Sequence, residues 1–157
     1  MARFHSKHKK YKSIAAARKH TPQAAQEAQD ALVETMTLAA CVDGMLEQGE
    51  ARALAMQILA TPGFEQFDNR DLGKTVEAIA VKVANEGLPA RVRHIAHAIG
   101  DDVHTREEAF ALATLFVLFD GEVGDEEQEF LELLQKELHI SDARASHISS
   151  ILADMDD

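Results

Sequence analysis

Residues 114–131 read TLFVLFDGEVGDEEQEFL, and the fold follows from how this stretch changes character at its centre. The run LATLFVLF, which ends at Phe119, is apolar on every side and suits a helix enclosed by others. Asp120-Gly121 stops it, because glycine readily takes the backbone conformation that closes a helix. Downstream, Asp125, Glu126 and Glu127 favour the positive end of a new helix over about 125–138. Phe130, Leu131, Leu134 and Leu138 give that helix one apolar face. The unit is therefore a buried helix, a tight turn and an amphipathic helix.

Sliding the chain by 77 residues lays TLAACVDGMLEQGEARAL (37–54) over the same stretch. Six positions are identical: Thr37/Thr114, Leu38/Leu115, Asp43/Asp120, Gly44/Gly121, Glu50/Glu127 and Leu54/Leu131. All lie around one helix-turn-helix, so the repeat predicts two related hairpins about a pseudo-twofold axis.

Working outward, Thr21-Pro22 starts a helix that Gly44 stops, with Leu32, Met36, Ala39 and Ala40 on its buried side. A second helix covers about 47–60 and ends at Thr61-Pro62-Gly63. Phe64 and Phe67 fall in a short connection. Asp68 or Asn69 caps a third helix with Val76, Ile79, Ala80 and Val83 inward, closed by Gly87. Leu88-Pro89 opens a fourth, with Val92, Ile95, Ala96 and Ile99 inward, until Gly100. Thr105 and Glu108 form a capping box for the apolar helix, and Ser141 caps a last one reaching about 155. No segment alternates with period two for long enough to read as a strand. The expected fold is all-α: about seven helices in a single domain, residues 21–157.

Length and composition agree. A chain of 157 residues, 46% hydrophobic, buries a full core without staples. Its one cysteine, Cys41, excludes an internal disulfide and any multi-cysteine zinc site, and points to a reducing, cytoplasmic setting. No apolar run approaches the roughly 20 residues of a membrane span.

The formal charge of −11 is unevenly placed. Residues 1–20 (MARFHSKHKKYKSIAAARKH) hold seven of the 16 basic residues and no acid, so a +7 arm precedes a −18 body. The arm reads as a flexible tail. Through residues 3–19 it suits an anionic surface such as nucleic acid, lipid headgroups or an acidic protein, with Phe4 and Tyr11 adding aromatic contacts.

The chemistry centres on the two Asp-Gly turns. Asp43 and Asp120 stand at helix C-termini, where the macrodipole disfavours negative charge by about 0.3–1 kcal/mol. One reading is structural: each Asp accepts free N–H groups of the next helix, whose first turn Glu47, Glu50, Asp125, Glu126 and Glu127 stabilise. The other is a hard-cation site, in which Asp43, Glu50, Asp120 and Glu127, supported by Glu47, Asp125 and Glu126, gather oxygens for Ca²⁺ or Mg²⁺. The spacing does not match an EF-hand. On this reading each turn holds its own ion, and the more acidic second turn is the tighter site.

At these residues the chain resembles the TerB (tellurite resistance) family, whose pattern is an apolar helix ending in A-D-G-x-V and followed by Glu-Glu. FDGEVGDEE (119–127) follows it closely and VDGMLEQGE (42–50) more loosely, with FEQFDNRDL (64–72) in the connecting segment. Gly49 replaces the family's first Glu, and Val42 and Phe119 replace its usual Ala. The resemblance, over roughly 30–142, implies a seven-helix fold, a role in bacterial chemical-stress response and acidic positions that bind a divalent cation. It also implies partner proteins of a stress-response system, at times at the inner membrane surface.

Other residues carry less. His94 and His97 lie three apart on a helix, but Arg91 and Arg93 flank them and no carboxylate shares their turn. Cys41 reads as an inert core thiol. No phosphate loop, nucleophile elbow or glycosidase-like carboxylate pair is present, so neither an enzyme nor an organic cofactor is expected.

Overall fold

The structure is a computed structural model that describes residues 22–44, 46–118 and 123–153. Among them are seven helices and no strand: α1 Pro22–Cys41, α2 Gln48–Leu59, α3 Asn69–Glu86, α4 Leu88–Ile99, α5 Val103–Leu118, α6 Asp125–Glu137 and α7 Asp142–Ala153. The basic arm lies outside the described residues. No described helix is long and apolar enough to cross a membrane.

Two helices form the centre. In α5 every residue from Glu108 to Val117 is buried, as its unbroken apolar run requires. In α1 everything from Ala31 to Ala39 is buried, a wider face than the four residues read from spacing. These two helices pack on each other more extensively than any other pair. Helices α2 and α3 pack together on one side, α4 bridges α1 to α6, and α7 lies on α5. Thr35, Thr37 and Thr114 are tolerated in this interior because each hydroxyl donates to a carbonyl one turn back, at 2.8–2.9 Å.

Most boundaries fall where local signals place them. Asp68 accepts the Asp71 N–H at the start of α3, and the Ser141 hydroxyl accepts the Arg144 N–H at the start of α7. Gly44, with φ +141°, turns the chain out of α1. One expectation is corrected. Helix α5 starts two residues before Thr105, and Asp102 caps it by accepting the Thr105 N–H at 3.2 Å. Thr105 and Glu108 are buried within that helix. Aspartate is as good a cap as threonine, and placing it earlier leaves both later residues to the interior.

Between α2 and α3 the chain is pinned to the body. Phe64 is 1% exposed and stacks with Phe67, ring centres 6.1 Å apart, while Gln29 of α1 donates to the Gly63 carbonyl at 3.0 Å.

Candidate functional site

The end of α1 and the start of α2 meet α5 and α6 around one cavity of about 350 Å³. Ala39 and Ala40 come from the last turn of α1, and Asp43 from the turn after it. Leu46 precedes α2, which adds Glu50, Ala53, Leu54 and Gln57. Helix α5 supplies Phe116 and α6 supplies Glu127. Small and apolar side chains thus share the wall with three carboxylates.

Three of the four principal residues expected at a cation site therefore border one space: Asp43, Glu50 and Glu127. Asp120 lies outside the described residues. Of the supporting residues, Glu47 and Asp125 stand exposed at helix starts, and Glu126 lines a neighbouring groove instead. Two pairs of residues 77 apart, Ala39 with Phe116 and Glu50 with Glu127, border the same cavity.

The two glutamates also share a local geometry. Glu50 Oε1 accepts the Glu47 N–H at 2.9 Å, and Glu127 Oε1 accepts the Gly124 N–H at 2.9 Å. Each carboxylate thus closes the first turn of its helix by reaching back three residues, the acidic half of a capping box. The acids of these turns are in part structural. Among the described residues, no group of three Asp, Glu, His or Cys side chains is gathered closely enough to hold a metal ion. Gly49 is open: a Cβ added there would meet nothing within 4 Å, so packing leaves room for a side chain at this position.

Cys41 is buried at the end of α1, and burial pushes its thiol up to about 11. It is a core group, not a nucleophile. His94 and His97 are both exposed on α4.

Sequence reading missed a buried ion pair. Arg91 of α4 donates from Nε and Nη2 to the two oxygens of Glu34 on α1, at 2.7 and 2.9 Å, and from Nη1 to Glu86 at 3.2 Å. The bonds to Glu34 raise the guanidinium's pKa further and keep it charged. The signal was Glu34 itself: a carboxylate inside the run ALVETMTLAA must be paired if that run is buried. No family model matches this chain, and neither a curated protein nor a solved structure matches it.

Proposed function

We propose that the chain is a non-enzymatic interaction module of the TerB type, in which the cavity bordered by Asp43, Glu50 and Glu127 receives a divalent cation. The observation that carries this reading is that Asp43 and Glu50, seven residues apart, and Glu127, 77 residues beyond Glu50, border one space. An all-oxygen donor set suits Ca²⁺ or Mg²⁺ better than softer metals. Asp120, which the sequence aligns with Asp43, lies outside the described residues and is left out of this donor set. Since one cavity draws on both hairpins, the reading is of a single shared ion in place of one per turn. Bacterial tellurite or chemical stress, with partner proteins of that response, is the setting the family resemblance supports.

Calorimetric titration with Ca²⁺, Mg²⁺, Mn²⁺ and Zn²⁺, paired with melting curves, tests it. A bound ion raises the melting temperature by mass action, and Asp43→Asn with Glu127→Gln abolishes the rise. A metal-free scaffold is the second reading. It is favoured by the capping bonds, which already commit one oxygen of Glu50 and one of Glu127. No heat and no shift for any ion at millimolar concentration would establish it over the first.

A further inference from the structure

Beside the acidic cavity, a groove of about 260 Å³ runs between the end of α1, the start of α4 and α6. Val42, Leu88, Pro89, Phe130 and Leu133 form its apolar surface, and Glu126 and Glu129 its charged edge. Both glutamates are exposed, and they stand one helical turn apart on α6.

We propose that this groove is the docking site of the chain's own N-terminal basic segment, with Tyr11 seated on the apolar surface and the flanking lysines on Glu126 and Glu129. The argument begins with charge. The segment KHKKYK (7–12) is the densest basic cluster in a chain whose remaining residues are strongly acidic. Spacing agrees. In an extended segment Lys10 and Lys12 stand about 7 Å apart, near the roughly 5–6 Å between side chains one helical turn apart. They lie on the face opposite Tyr11, so their stems must fold back past the backbone to reach the two glutamates. Long lysine stems can follow apolar surface and still place their ammonium groups at its edge.

Reach also suffices. Helix α1 begins at Pro22 and carries the groove's Val42 just past its far end, about 30 Å away at 1.5 Å per residue. The eleven residues from Tyr11 to Pro22 span up to about 36–40 Å when extended. Tethering then does the rest. A short flexible linker gives an effective concentration in the millimolar range, so even a weak groove is largely filled by its own segment. The proposal does not depend on a cation in the neighbouring cavity.

Tyr11 is the chain's one tyrosine, and there is no tryptophan, so its fluorescence reports this segment alone. The experiment measures Tyr11 anisotropy and acrylamide quenching in the full chain, in Glu126→Lys/Glu129→Lys, and in that variant carrying Lys10→Glu/Lys12→Glu as well. Docking predicts a raised anisotropy and protection from quenching in the native chain. Both should fall to the values of the urea-unfolded chain after the first charge reversal and return after the second. Circular dichroism of each variant confirms that the helices are retained.

Tyr11 as mobile and quenchable in the native chain as in urea would overturn the proposal. So would protection that disappears on dilution, which would place the segment of a second copy in the groove. If Tyr11 is free while an added lysine-rich peptide binds the Glu126/Glu129 edge, the occupant is another protein and the proposal fails.

Discussion

Arg91 grips Glu34 through two nitrogens, each on its own carboxylate oxygen, with both side chains less than a tenth exposed. The pair ties the middle of α1 to the first turn of α4 across 57 residues of sequence. Removing one partner leaves a charge in the interior with nothing to meet it. Arg91→Met should therefore cost about 3–5 kcal/mol in denaturant unfolding. Replacing both residues with apolar side chains of similar volume should cost far less. A double-mutant cycle with no coupling would contradict this account.

A second prediction separates the two duties of Glu127. Glutamine keeps an oxygen for the Gly124 N–H, so Glu127→Gln should melt within a degree or two of the parent. Glu127→Ala should cost about 1 kcal/mol through the lost cap. Cation binding, by contrast, should suffer in both. If one ion is shared, Glu50→Gln and Glu127→Gln should weaken it to similar extents, with a titrated stoichiometry of one. A much larger loss from Glu127→Gln would restore the picture of two unequal sites.

The buried thiol gives a pH signature. Cys41 titrates near 9.0 when unhindered and at about 11 in the folded chain. Between those values the unfolded chain has lost more of this proton than the native one, so stability falls as pH rises through that window. The slope from this group is at most about 1.4 kcal/mol per pH unit, and Cys41→Ala should remove it. At pH 8 a thiol reagent should label the native protein far more slowly than the urea-unfolded chain.

Phe64 offers a test of packing away from the site. Its ring fills the interior from a connecting segment, so Phe64→Ala should cost about 3–5 kcal/mol. Phe67, half-buried and stacked outside it, should cost less when truncated. Equal losses would mean that the stacked pair, and not burial of Phe64, anchors the connection.

How much was legible in advance depended on the range of the interaction. LATLFVLF announced a helix without a wet face, and Gly44, Gly87 and Gly100 marked ends, because composition and backbone preference act within a few residues. Asp102 and Thr105 show the local limit: two good caps three residues apart leave the start of a helix undecided until the packing of Thr105 and Glu108 settles it. The Glu34–Arg91 pair lay beyond that reach, since its partners meet only after α1 and α4 have packed. For the candidate site, the sequence picked out Asp43, Glu50, Asp120 and Glu127 as a set, of which all but Asp120 are described. It did not reveal that Glu50 and Glu127 cap their own helices, or that Asp43, Glu50 and Glu127 border one cavity. Whether Glu50 and Glu127 meet across one cavity depends on the packing of α2 and α6 around α1 and α5, which no spacing rule encodes.

Helix α5 carries a consequence for how this chain can vary. From Glu108 to Val117 it has no solvent side, and Ala109, Ala111 and Ala113 are wholly enclosed. An ordinary surface helix offers about half its positions to nearly free exchange, whereas here each side chain is bounded by neighbours in every direction. Substitutions on the exposed faces of α2, α3 and α7 should therefore be tolerated, whereas α5 accepts only compensated, volume-matched changes. Ten consecutive residues thus act as a single packing unit, in which a change of volume at one position calls for a compensating change beside it.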